Sequence, residues 1–524
     1  MEYWSKPPIA RSQIVLFSPT LDSCIAQDHP IRLFDEVLSG LDWSEWESHY
    51  FGCVGQPPIQ PKIIAGVILY GLSIGIRPSR VLERVCSDSI SFIWFTSGRS
   101  IDHSTICKFR TKFSKELKKL FRQIGRIAMK MGLIRLNEVG LDGTRVKANN
   151  GRHKTACAKT IKEKLAALDK QIEEMFSEAE AADDRDGDLY GSTSANHLPK
   201  ELSNLEKRKE SLEKALASTE KIERKRSRRS DVPDRAAGVP LTDTDSLVLP
   251  NKEGGYAPNY TPITAVDGHR GFIVDACVDN EGYESHTTVA TVDRIEQTFD
   301  KKPEKLLADS AHGTGSNYKE LAERGVETYI PAMNQVNDTA DNPANRADPQ
   351  KSVDKSDWDE LPRNPNSNKL DRTAFVYDSA KDCYYCPMGR EMKYFSSDNQ
   401  KRKRGVVNCR SYMCRSCENC CLSGQCLGGK SKRRRVVRDE FEKYRQEAIK
   451  RIRSPEGKEI YQHRCWICES PNGIIKTRMK LRQFLLRGIE KVETEWFWAC
   501  TSFNISKLIN EVARIRADFA MNLA

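Results

Sequence analysis

Two short apolar runs each end on a lone aspartate with small residues behind it: "EVGLDGT" from Glu138, and "KLLADSA" from Lys305. A run of this length bounded by turn residues reads as a β-strand, so Asp142 and Asp309 stand at strand tips. Such an acid has two readings. Asp-Gly is an ordinary turn dipeptide. Alternatively the acid is held at the tip to bind a metal ion, with Thr144, Arg145 and Lys147 close by in sequence to meet phosphate. A third segment favours the second reading. In "YQHRCWICESPNGIIK" Tyr461, Arg464, Glu469 and Lys476 fall on one broad face of a wheel of about 100° per residue. Pro471 and Gly473 predict a kink just after Glu469. Two aspartates at strand tips and a glutamate on a helix are a hard-oxygen ligand set for a two-metal phosphoryl-transfer site. Arg464 and Lys476 would hold phosphate oxygens.

A chain of 524 residues exceeds one hydrophobic core and predicts two to four domains. No apolar run approaches the ~18 residues of a membrane helix, and the N-terminus, with Glu2 early, does not read as a signal peptide. Lys and Arg exceed Asp and Glu by 84 to 73, and the excess is clustered in "ERKRSRR" (Glu223–Arg229) and "KSKRRR" (Lys430–Arg435). Basic runs point to a polyanion, usually nucleic acid, or to a solvated loop. Of 17 cysteines, 8 lie between Cys383 and Cys426. Without a secretion signal such a cluster means metal more often than disulfides. The C-x2-C spacings select Cys383, Cys386, Cys417 and Cys420 as a tetrahedral zinc site. Cys465 and Cys468 on the Glu469 helix, and Trp496 and Trp498, read as buried side chains.

The periodicity divides the chain further. Residues 1–135 read as helical. "PKIIAGVILYGLSIG" starts on Pro61 with an apolar stripe through Ile64, Val67, Ile68 and Leu72. A later helix is capped by Asp102 or Ser104 and carries Lys108, Arg110 and Lys112 on one face, a helix-turn-helix-like spacing. Residues 136–157 hold the first acid strand. Residues 158–230 repeat Ile161, Leu165, Leu168, Ile172 and Met175, then Leu202, Leu205, Leu212 and Leu216, as an antiparallel coiled-coil hairpin. Residues 231–335 read as strands paired around Asp267-Gly268, a helix, the second acid strand, a helix and a strand. Residues 336–435 combine a polar linker with the cysteine cluster, and 436–524 are helical.

In order, "GLDGTRVKANNG", "GGYAPNYTPITAVD", "LLADSAHGTGSNYKEL", the Y-x2-R-x4-E-x6-K helix and "PKIIAGVILYG…RPSRVLERV…DHSTICKFR" resemble the bacterial insertion-sequence transposases of the DDE class. In that family four residues between Arg464 and Glu469, and His312 in place of a tyrosine, are departures. The resemblance implies an α/β ribonuclease-H-like catalytic core with a helical N-terminal DNA-binding domain, a coiled-coil hairpin insertion and a small cysteine-rich, zinc-ribbon-like insertion. It implies Asp142, Asp309 and Glu469 as catalytic acids holding Mg2+ or Mn2+. Tyr461, Arg464, Lys476, Arg145, Lys108 and Arg110 would contact DNA. For structural Zn2+ it points to Cys386, Cys417, Cys420 and Cys426, with Cys383 the alternative. The implied activity is binding of terminal inverted repeats, then metal-dependent cleavage and strand transfer into target DNA. A homodimer on double-stranded DNA, in the bacterial cytoplasm at the nucleoid and away from membranes, is the implied setting. The alternatives are an inactive or domesticated DNA-binding relative and a nuclease of the same fold.

Overall fold

A computed structural model of the chain describes residues 20–52, 57–151, 154–186, 200–226, 237–251, 254–332, 342–402, 405–429 and 431–523. Residues 227–229 of the first basic run and Lys430 of the second lie outside them. The chain forms two compact units. One comprises Met1–Arg135, Gly143–Gly282 and Cys468–Ala524, the other Leu136–Asp142 and Tyr283–Ile467.

In the first unit, Pro61–Ser73 is a helix whose opening proline has no N–H to leave unpaired. It is buried from Ile64 to Leu72, all round and not along a stripe alone. Two glycines allow this. A Cβ added to Gly66 would lie 2.2 Å from the Phe95 ring, and one on Gly71 2.5 Å from Leu82. Asp102 caps the helix His103–Lys112, its side chain accepting from the Ser104 N–H. The helical pattern breaks at Phe113 (φ −104°, ψ 44°) before resuming as Ser114–Lys130. Phe113 turns its ring into the core, 4.7 Å from Phe109 and 4.9 Å from Trp46, and that burial fixes the break. The C-terminal helix Ile489–Leu523 completes this layer. Trp496 and Trp498 are buried as expected, Trp498 Nε1 donating to the Arg110 carbonyl at 3.0 Å.

An antiparallel sheet backs this layer. Strands Tyr256–Asp267 and Ile273–Asp279 pair around the Asp267-Gly268 turn, Leu247–Pro250 pairs with the first of them, and so does Val146–Lys147. Between residues 147 and 247 the chain leaves the sheet. Thr155–Ala156 pairs with Val239–Pro240, and from this short stem rise helices Ala158–Asp186 and Lys200–Arg226. They pack through Ile161, Leu168, Leu212 and Ala215, and Lys209 pairs with Asp169 across them at 2.6 Å.

The second unit holds a parallel sheet. Glu138–Gly143 pairs with Lys305–Ala308, which pairs with Glu327–Tyr329. Helices Thr288–Phe299 and Gly315–Glu323 connect the later strands, and Glu442–Arg453 packs on the last of them. A separate antiparallel sheet runs in order Val376–Asp378, Cys383–Tyr385, Glu391–Arg402, Gly405–Cys414 and Arg435–Asp439. The polar segment before it, read as linker, supplies Ala344, Val353, Leu361 and Leu370 to the same core. It is irregular, yet packed. No helix among the described residues is long and apolar enough to cross a membrane.

Candidate active site

Parallel pairing aligns Leu141 with Ala308. The next residue on each chain is Asp142 and Asp309, so both aspartates leave neighbouring strands at the same edge of the sheet, each half-buried. Asp309 Oδ1 accepts from the Ala311 N–H at 2.9 Å and caps a single turn, Ser310–His312. That turn is packed tightly. A Cβ on Gly313 would lie 2.2 Å from the Pro331 carbonyl oxygen and one on Gly315 2.7 Å from Phe441. Behind it His312 is fully buried. Its Nδ1 shares a hydrogen bond with Thr288 Oγ1 at 2.9 Å, and its Nε2 lies 3.5 Å from a Glu284 carboxylate oxygen. Asn317 Nδ2 donates to the carbonyls of Ser285 and His312 and to Thr288 Oγ1.

The helix Pro455–Thr477 runs through Pro471 without ending there. Proline forfeits one hydrogen bond and clashes with the preceding turn, a cost of about 3 kcal/mol; here Pro471 and Asn472 are both buried. Arg464 Nη2 donates to Asp142 Oδ1 at 3.1 Å, with side chains 19% and 16% exposed. One residue earlier His463 Nδ1 meets Glu138 Oε2 at 2.9 Å, and Lys305 lies 3.9 Å from the other oxygen of Glu138. Glu138 and Asp142 are four apart on a strand and share a face, so the helix is tied twice to one side of the strand. Tyr461 is half-buried on this helix and Cys465 is exposed, unlike the expectation; Cys468 is buried. Glu469 and Lys476 belong to the first unit, where Glu469 is exposed and Lys476 half-exposed.

The remaining candidate cations differ in setting. Lys108 is exposed. Arg110 is 6% exposed and its Nη2 donates to the Arg77 carbonyl at 2.8 Å; burial lowers its pKa. Its guanidinium therefore serves the helical core and does not face solvent. Arg145 is half-buried beside Thr144, and its Nη1 is buried without a hydrogen-bond partner. Sequence reading did not single out the Arg77–Glu495 pair (2.6 Å), whose carboxylate also accepts from the Leu485 and Leu486 N–H groups.

In the antiparallel sheet, five thiols line a cavity of about 20 Å3: Cys386, Cys414, Cys417, Cys420 and Cys426. Cys383 is not among them. It alternates with Tyr384 on its strand and so takes the opposite face. Cys414 lies outside both quartets expected above. A hydrogen bond from Cys414 holds the Cys386 thiol below its usual pKa, and the same bond, with burial, raises that of Cys414. Burial pushes Cys426 up to about 11. Among the described residues, the one group of three or more metal-capable side chains with ligand atoms within 4.8 Å of one another is elsewhere: Glu83, Asp102 and His103. There His103 Nδ1 lies 3.1 Å from Glu83 and 3.3 Å from Asp102, the helix cap.

Two family models match the chain. A transposase DDE domain covers residues 385–509, from the cysteine-rich sheet through Glu469, and a transposase domain (DUF772) covers residues 19–112 of the helical region. Asp142 and Asp309 lie outside both spans. Comparison with curated proteins and with solved structures gave no significant match.

Proposed function

We propose, for a chain that belongs to the DDE transposases of insertion sequences, that it cuts DNA at the ends of its element and joins them to target DNA, with Asp142, Asp309 and Glu469 as the three acids. The observation that carries this reading is the strand register that sets Asp142 beside Asp309 at one sheet edge. The core is read as ribonuclease-H-like, the two long helices as a coiled-coil insertion and the cysteine-rich sheet as a zinc ribbon.

The donor set fits a hard divalent cation, since all three candidates are carboxylates. Mg2+ or Mn2+, when bound, supplies activation of the attacking oxygen and stabilisation of the leaving one. Asp142 and Asp309 would hold that cation from the sheet and Glu469 from the helix. Arg464, already on Asp142, would turn its remaining donors to a DNA phosphate, and Tyr461, Lys476 and Arg145 would hold neighbouring phosphates. Lys108 is the candidate for DNA contact in the helical region. At the sulfur-lined cavity Cys386, Cys417, Cys420 and Cys426 would hold Zn2+, a soft-donor set with a folding role. Two element ends must be held together for joining, so the working form is read as a homodimer on DNA, acting in the cytoplasm at the nucleoid.

The test is cleavage and joining of end-labelled inverted-repeat DNA with Mg2+, comparing the protein with Asp142→Asn, Asp309→Asn and Glu469→Gln. Each substitution is expected to cost at least about a hundredfold, from several kcal/mol of lost charge stabilisation. Cutting by the variants at the unaltered rate would refute the assignment. Cutting without joining would make the chain a nuclease.

A further inference from the structure

Residues 385–440 contain fourteen Lys or Arg against five Asp or Glu, so this one segment carries nine of the chain's eleven net positive charges. Much of that segment is the antiparallel sheet, whose two central strands, Glu391–Arg402 and Gly405–Cys414, outrun their neighbours. The strand Cys383–Tyr385 pairs only as far as Met392, and Arg435–Asp439 only as far as Cys409. Beyond those points the strands continue as a two-stranded ribbon, through Asn399 opposite Asn408 to Lys401 opposite Val406.

The hairpin exposes what a soluble edge ordinarily hides, on the ribbon and on its three-stranded base. Val406 on the ribbon is 59% exposed and Tyr394 and Phe395 on the base 45% and 55%, with exposed Lys401 on the ribbon and exposed Lys393 on the base. At its base Arg410 lies 4.9 Å over the Tyr394 ring and pairs with Asp382 at 2.7 Å. Arg438, opposite Arg410 on the next strand, lies 3.8 Å over Tyr377. Exposed apolar side chains set among cations mark an interaction surface, and the charge names a polyanion. Duplex DNA fits the form as well as the charge: its major groove, about 12 Å wide, admits a two-stranded β-ribbon.

We infer that the hairpin of strands Glu391–Arg402 and Gly405–Cys414 is a docking element for double-stranded DNA, its two-stranded end in the groove, Lys393 and Lys401 on phosphates, and Tyr394 and Phe395 at its base against the duplex. The inference rests on the reading that this chain acts on DNA, but it concerns binding alone and is independent of the three acids.

The test is fluorescence anisotropy of a labelled mixed-sequence duplex with the full-length protein in an Asp142→Asn background and no added Mg2+, across a salt series. The double variant Lys393→Ala/Lys401→Ala is expected to bind about tenfold more weakly at low salt and to lower the slope of log affinity against log salt by about two, one for each phosphate contact. Phe395→Ala is expected to weaken binding with the slope unchanged. A control pair, Lys162→Ala/Lys164→Ala, on exposed positions of the helix Ala158–Asp186, should leave both quantities as they were. Unaltered affinity and slope in the hairpin double variant would overturn the inference. So would an equal loss in the control pair, which would reduce the effect to net charge, or tighter binding of an RNA duplex. Failure of the acid variants to block cleavage would leave this measurement untouched.

Discussion

Arg464 and Asp142 stand 322 positions apart in the chain, and the guanidinium of one donates to the carboxylate of the other at 3.1 Å. The arginine thus supplies positive charge to Asp142 at the carboxylate that a divalent cation would share.

The pair predicts opposed effects on cleavage and on metal demand. Arg464→Ala removes a charge-assisted contact worth about 1.5–3 kcal/mol where it meets phosphate, so cleavage should fall about tenfold or more. It also removes the Arg464 cation from the Asp142 carboxylate, so competition with a divalent cation falls and half-maximal cleavage should need less Mg2+. A magnesium titration of wild type and variant measures both, and a higher Mg2+ requirement in the variant would contradict the argument. The partly exposed pair itself should contribute no more than about 1 kcal/mol to thermal stability.

Gly313 predicts a local defect next to Asp309. With a Cβ the residue would meet the Pro331 oxygen at 2.2 Å, and relief by backbone shift costs about 1–3 kcal/mol. Gly313→Ala should lower the unfolding midpoint and cut cleavage, because the turn that shifts is the one Asp309 caps. Gly424→Ala, with open space around the added carbon, should be neutral to slightly stabilising in the same melt.

These positions show how far the sequence could be read. The acid strands were legible because a short apolar run ending on a lone acid leaves few alternatives, and the Tyr461–Lys476 helix because its polar residues repeat at helical spacing. Pro471, read as the site of a kink after Glu469, lies inside a helix that continues to Thr477, and its side chain is buried, a setting no one-dimensional pattern announces. Arg110 looked like part of a basic helix face, yet its partner is the Arg77 carbonyl, which no local pattern announces. Cys414 was legible in principle. With Cys417 it makes a C-x2-C that overlaps the Cys417/Cys420 pair, and choosing one reading frame hid the other. The segment holding Val353 and Leu361 has no periodicity, so its packing against the cysteine-rich sheet could not be foreseen.

Asp382 predicts a pH dependence. Burial acts to raise its pKa, but hydrogen bonds from Tyr412 and Tyr377 and the Arg410 charge outweigh that and hold it below the ordinary carboxylate value. A folded-state pKa lowered in this way contributes stability above the unfolded value, and that contribution is lost as pH falls through the folded value. Thermal melts should therefore decline as pH falls through and below the ordinary carboxylate value of about 4, and Asp382→Asn should flatten part of that decline. The residue has φ 49°, a left-handed conformation that asparagine tolerates, so the change tests charge with little backbone strain. An identical acid slope in the variant would exclude the residue as a source.

The sulfur-lined cavity predicts a metal content. Purified protein should carry about one zinc per chain by elemental analysis. Chelation should lower the melting point of the cysteine-rich sheet. Cys420→Ser should lose the metal, whereas Cys383→Ser should keep it. Metal-free protein with an unshifted melt would leave the thiols as ordinary packing.

The paired helices Ala158–Asp186 and Lys200–Arg226 stand on a stem only two residues wide on each side, Thr155–Ala156 against Val239–Pro240. Partners in an antiparallel pair lie about 5 Å apart, a gap that a two-residue hairpin turn spans. The whole projection is therefore a removable module: length there is free to change while the strands on either side keep their register, and a foreign domain spliced at that stem would leave the rest of the chain to fold as before.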